Sequence, residues 1–102
     1  MDKWIIDEEY KQVVFDSIKN DHALVKQWPS FESDVTKNPY YHPKFKRIMK
    51  MKVKTAFPPG SYRYKKDPLR VVYIPEGSTQ TIYPLEAASV TDVSYKKRTK
   101  GI

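Results

Sequence analysis

Ser61-Tyr62-Arg63-Tyr64-Lys65-Lys66-Asp67-Pro68-Leu69-Arg70-Val71-Val72-Tyr73 reads as a β-hairpin, and the rest of the fold follows from it. Residues 62–65 alternate aromatic with basic, the period-two pattern of a half-buried strand with Tyr62 and Tyr64 on one face. Lys66-Asp67-Pro68 carries turn chemistry, and residues 70–74 form a second, β-branched strand. The two strands present Arg63 and Arg70, seven residues apart, as permanently charged planar forks suited to holding phosphate.

Downstream, Pro75-Glu76-Gly77-Ser78 predicts another turn and residues 79–88 a third strand. Pro84 inside that run requires an edge position or a bulge, because proline cannot donate to a ladder. Upstream, Phe57-Pro58-Pro59-Gly60 is a loop. Before it, residues 40–54 interleave aromatics with many Lys and Arg, and Ile48, Met49, Met51 and Val53 add apolar content.

The N-terminal third reads as helical. Asp7-Glu8-Glu9 puts negative charge where a helix begins, and Tyr10, Val14 and Ile18 follow on one apolar face. Leu24, Trp28, Phe31 and Val35 repeat the helical spacing, with Pro29 inside it. Either a second helix kinks at Pro29, or the first runs to about Gln27 and a new one starts at Pro29. Asn20-Asp21 is a point where the first helix ends or bends, and Asn38-Pro39 stops the helical region. Residues 3–6 suit one strand. A strand, two helices and three strands in that order predict an α+β fold: an N-terminal strand and a helical hairpin packed on a small, mainly antiparallel twisted sheet.

With 102 residues, the chain suits one domain over residues 1–95, followed by a basic, frayed tail over 96–102. Trp4, Trp28 and Phe31 are the core candidates among the large aromatics. Cysteine is absent, which excludes disulfides and cysteine-ligated zinc. His22 and His42 stand far apart, a poor basis for a transition-metal site. His42, between Tyr41 and Pro43, is a minor candidate for a general base. The acidic start is unlike a signal peptide and no apolar run reaches membrane-spanning length, so a soluble, cytoplasmic protein is expected.

Charge is divided along the chain. Residues 1–36 hold eight acids against four lysines, a net of −4. Residues 37–102 hold four acids against fifteen Lys and Arg, a net of +11, so the total is +7. A polyanion-facing basic surface and a separate acidic surface are expected.

The order and spacing of these motifs, across residues 4–95, resemble the RelE/ParE superfamily of toxin–antitoxin toxins. The resemblance rests on Asn38-Pro39 after the helices, the lysine-rich run 44–54, Tyr62-Arg63-Tyr64-Lys65, and Leu69-Arg70-Val71-Val72-Tyr73. It implies the RelE-like microbial RNase fold and a ribosome-dependent mRNA endonuclease. Such an enzyme uses neither metal nor other cofactor and cleaves by attack of a 2′-hydroxyl on the adjacent phosphate. On that resemblance Arg63 and Arg70 would bind and stabilise phosphate, and Tyr95 would serve as acid or base. Lys50, Lys52, Lys54, Lys65 and Lys66 would hold nucleic acid. The implied partners are a cognate acidic antitoxin, the ribosome and mRNA. The alternative is a toxin-fold binding protein, either catalytically degenerate or ParE-like and directed at DNA gyrase. One departure favours that alternative: the family's basic residue ahead of an Asp/Glu-Val-Tyr-like ending is missing before Asp92-Val93.

Overall fold

The computed structural model describes residues 3–100. In chain order the elements are β1 (Ile5–Ile6), α1 (Glu8–Ile18), α2 (His22–Val25), α3 (Trp28–Lys37), β2 (Ile48–Lys50), β3 (Tyr62–Lys66), β4 (Leu69–Glu76), β5 (Thr81–Ser89) and α4 (Val93–Arg98). The strands form one five-stranded sheet in the order β1-β5-β4-β3-β2. β1 runs parallel to β5 and the other three pairings are antiparallel. The expected α+β class is present.

The hairpin occurs where its sequence pattern places it. β3 and β4 pair from Tyr62↔Tyr73 to Lys66↔Leu69, joined by Asp67-Pro68, whose peptide bond is cis. In β5 the register shifts, so that Val72 faces Glu86 and Tyr73 faces Pro84 while Leu85 is left over. That bulge takes up Pro84: its missing N–H falls where the ladder is already interrupted, and β1 reaches only Thr81 and Ile82.

The helical region divides differently from either version expected. α1 is capped by Asp7, whose carboxylate accepts from the Tyr10 amide, and it ends at Ile18. Asp21 then accepts from the Ala23 and Leu24 amides and starts the single turn α2. A side-chain cap there offers the backbone an alternative to continuing one helix. α3 begins at Trp28 with Pro29 in its first turn, and it stops at Lys37 before Asn38-Pro39.

α1 and α3 cover one face of the sheet. Phe31 is fully buried there, with its ring 4.9 Å from Trp28, 5.4 Å from Tyr64 and 5.8 Å from Tyr73. Trp28 shares this core and Trp4 packs against its margin, edge-on to Tyr40. The two tyrosines buried in this core keep their hydroxyls satisfied: Tyr73 Oη donates to the Pro39 carbonyl and Tyr64 Oη to Asp34, both at 2.6 Å.

The opposite face carries a smaller cluster of Met51, Val72, Ala88 and Tyr95 beneath α4. Here the expected frayed tail is corrected. Asp92 caps α4 by accepting from the Tyr95 amide at 3.0 Å, and Thr99 Oγ1 donates to the Tyr95 carbonyl at 2.9 Å. Lys96, Lys97 and Arg98 occupy the last turn of this helix, where positive charge complements the helix dipole. Residues 1, 2, 101 and 102 lie outside the described residues. Among the described residues, no helix is long and apolar enough to cross a membrane.

Candidate nucleic-acid interface

Strand pleating sorts the hairpin's charges onto two faces. Cross-strand partners share a face, so Arg63 lies with Val72 and Glu86, and Lys65 with Arg70 and Ala88. The bulge in β5 brings Glu86 into this set. α4 crosses the same face and lowers Tyr95 onto Val72 and Ala88. Arg63, Arg70 and Tyr95 therefore converge, although Tyr95 is 25 residues beyond Arg70 in sequence.

Arg70 is only 7% exposed. Its Nη1 contacts Asp67 Oδ1 at 2.8 Å and donates to the Leu69 carbonyl at 3.0 Å. Only four acids stand among residues 37–102, yet Arg70 has one as its partner. The tight turn folds Asp67 back onto Arg70, so a single carboxylate in the right place suffices. Arg70's hydrogen bond holds the Asp67 carboxyl below its ordinary 3.8, against a small opposing effect of burial. A depressed carboxylate stabilises the fold above its unfolded value, and the stability is lost as pH falls through the folded value. Asp67→Asn should thus cost about 0.5–1 kcal/mol near neutrality, a modest figure because the carboxylate is largely solvent-screened. Thermal melts from pH 7 downward should show the gap to wild type closing below about pH 4. A gap unchanged at pH 2 would discredit the ion pair.

Arg63 Nη2 donates to the Lys46 carbonyl at 2.7 Å, while its Nε is buried with no hydrogen-bond partner. Burial lowers its pKa, the Tyr95 hydroxyl opposes this, and Arg70 adds to it. Tyr95 is 5% exposed and its Oη also lacks a partner. Burial raises the pKa of this hydroxyl, the Arg63 and Arg70 guanidiniums pull it back, and Glu86 pushes it up. A buried hydroxyl left unpaired costs about 1–3 kcal/mol, so an unpaired one beside two guanidiniums needs an explanation. Chemically, the group is equipped to meet an oxyanion, with the tyrosine donating one hydrogen bond and the guanidiniums supplying charge.

The five lysines do not form one rail. Lys65 alone lies on the Arg63 face of the hairpin. Lys66 is on the helix side, where its Nζ donates to Ser30 Oγ at 3.0 Å. Lys50 pairs across from Tyr62 and so belongs to the helix side at the β2 edge. Lys52 and Lys54 sit in an exposed loop, because β2 ends at Lys50. That loop is tied to α4 by the Ala56 amide donating to the Arg98 carbonyl at 2.9 Å, and Lys54 lines a cavity of about 450 Å³ with Lys97 and Lys100.

Two groups escaped the sequence reading. Arg98 pairs with Glu86 and closes α4 onto β5. The available signal was the capping pattern Asp92-x-x-Tyr95, which predicts a helix and puts Arg98 one turn after Tyr95. The second is Asp34 on α3, which accepts from Tyr64 and faces His42 Nε2 at 3.5 Å and Arg47 Nη1 at 4.0 Å. His42 Nδ1 accepts from the Lys44 amide at 3.0 Å. This cluster lies on the helix side, away from Arg63. Among the described residues no three His, Asp or Glu side chains stand together as a metal-holding group.

Comparison of the chain with protein-family models, with curated proteins and with solved structures finds no match.

Proposed function

We propose that this protein binds single-stranded RNA on the face bounded by α4, the loop 52–56 and the β2 edge, as a toxin-fold protein of the RelE/ParE kind. One observation carries the reading: the unpartnered Tyr95 hydroxyl beside Arg63 and Arg70, within a cationic rim that includes Lys54, Lys65, Lys97 and Lys100. The element order supports the fold assignment in part: the strand, helical layer and β3–β5 meander that the resemblance implies are present, and the short strand β2 and the C-terminal helix α4 are additions to the expected order. The acids of α1 and α3 lie on the opposite side of the sheet from the proposed RNA face, where Glu86 is paired with Arg98. A cognate acidic antitoxin would compete for the same cations. A ParE-like action on gyrase would use the surface for a protein instead.

Cleavage is a second reading, favoured by the convergence of Arg63, Arg70 and Tyr95. A 2′-hydroxyl would give up its proton to a base and attack the adjacent phosphorus. The P–O5′ bond would break, its oxygen would take up a proton, and a 2′,3′-cyclic phosphate would remain. Tyr95 would exchange one of these protons and the arginines would balance the phosphorane charge. Tyr95, carried by α4 itself, and Arg70 are only 5% and 7% exposed, so of the three groups Arg63 is the one a messenger on the ribosome meets first.

Anisotropy of a labelled single-stranded oligoribonucleotide tests binding. Affinity should fall at least tenfold between about 50 and 200 mM salt, and Arg63→Ala should weaken it about tenfold. Tyr95→Phe removes a hydroxyl that has no partner within the fold, so it should fold like wild type and bind RNA several-fold more weakly, by roughly one hydrogen bond to phosphate. Mapping messenger 5′ ends after expression separates the two readings. Cleavage abolished by Tyr95→Phe supports catalysis, intact messengers with RNA binding leave a binding protein, and binding weaker than about 100 μM removes both.

A further inference from the structure

The segment between α3 and β2 exposes two aromatic rings that the fold does not use. Phe45 is 88% and Tyr41 64% exposed. Such rings gain nothing from the core, yet the backbone that presents them is held in place. Lys46 adopts φ 61°, a left-handed conformation that lysine rarely takes. Arg63 Nη2 donates to its carbonyl, and the Lys65 amide donates to the next carbonyl, that of Arg47, at 2.8 Å. Lys46 Nζ stands 5.3 Å from the centre of the Phe45 ring.

A groove of about 320 Å³ runs between these rings and β2, lined by Tyr41, Phe45, Lys46, Ile48 and Met49. Met49 is the cross-strand partner of Arg63, so the groove opens beside the proposed phosphate site. Exposed Lys44, Lys46 and Lys50 surround it with positive charge. Exposed rings flanked by flexible cations, next to a guanidinium, match what single-stranded nucleic acid offers: a flat base about every nucleotide and a phosphate between.

We infer that Tyr41 and Phe45 form a base-stacking platform for single-stranded RNA whose backbone passes Arg63. This rests on the RNA-binding reading above and adds where the bases go. The platform accepts any base, because every base has a π-face. Specificity for single strands follows, since a duplex keeps its bases stacked on each other.

The test compares a labelled single-stranded oligoribonucleotide of about eight nucleotides with an abasic oligomer of equal phosphate number. Wild type should prefer the base-bearing oligomer. Phe45→Ala should weaken it roughly tenfold or more, leave the abasic oligomer unaffected, and keep the salt slope and the melting temperature of wild type. Phe45→Trp should restore the preference. Lys46→Gln should instead flatten the salt slope for both oligomers. If wild type binds RNA but Phe45→Ala and Tyr41→Ala bind equally well, the platform is wrong and the RNA-binding reading stands. If wild type binds neither oligomer, both fall. Phe45-dependent binding to anionic phospholipid vesicles without RNA binding would also overturn the inference.

Discussion

Phe31→Ala should lose about 3–5 kcal/mol of folding stability, the usual cost of emptying a phenylalanine site in a packed core. Phe31 has no exposed surface and links α3 to the sheet through Trp28, Tyr64 and Tyr73, so none of its neighbours can relax without moving a second aromatic. A single domain is typically held by about 5–15 kcal/mol, so this one change removes a large share of the total. In urea the midpoint should drop sharply while the slope of free energy against denaturant stays the same. Phe31→Leu keeps most of the volume and should cost roughly half as much. A Phe31→Ala loss below about 1 kcal/mol would contradict the central place given to this ring.

Alkaline pH should unfold the protein steeply. Burial raises the hydroxyl pKa values of Tyr64, Tyr73 and Tyr95 above the ordinary 10.0, and at Tyr64 the Asp34 carboxylate adds to the effect. A raised folded value means that the native state holds its proton more tightly than the unfolded chain. Stability is then complete below pH 10 and is lost as pH rises through the folded values. With Tyr64 and Tyr73 the loss approaches about 3 kcal/mol per pH unit, roughly 1.4 for each proton, and Tyr95 acts in the same direction. The chain has eight tyrosines, so the phenolate absorbance of these three is taken as the difference between wild type and each Tyr→Phe variant, and it should change together with far-ultraviolet dichroism as the chain opens. Tyr95→Phe should reduce the slope without destabilising the neutral protein, because its hydroxyl has no partner to lose. Tyr73→Phe should reduce it similarly but cost about 1 kcal/mol at neutrality, since the Pro39 carbonyl loses its donor. A difference signal from these three rings well before the loss of dichroism would show them to be less enclosed than described.

Much of the fold was legible because it is local. Alternation in Tyr62-Arg63-Tyr64-Lys65, the turn at Asp67-Pro68 and the stop at Asn38-Pro39 each depend on neighbours a few residues away. Pro84 signalled an edge position or a bulge for the same reason, and the bulge is what forms. The break at Asn20-Asp21 was harder to read. Asp21 can sit on a helix surface or cap a new turn, and only the packing of Leu24 and Trp28 into the common core selects the cap. The C-terminal lysines were misread because charge suggests fraying. The cap at Asp92 and the Arg98–Glu86 pair depend on a sheet that the tail's composition does not describe.

The candidate site divides along the same line. Residue order by itself determined the hairpin, its two arginines, the acidic and basic halves and the α+β class, because periodicity, turn chemistry and charge are properties of short segments. Only the tertiary structure decided which cations share a face. Pleat parity separates Lys65 from Lys66, the β5 bulge brings in Glu86, and α4 carries Tyr95 back over Arg63 and Arg70. These placements depend on pairings between segments distant in sequence, where a shift of one residue would move every side chain to the other face.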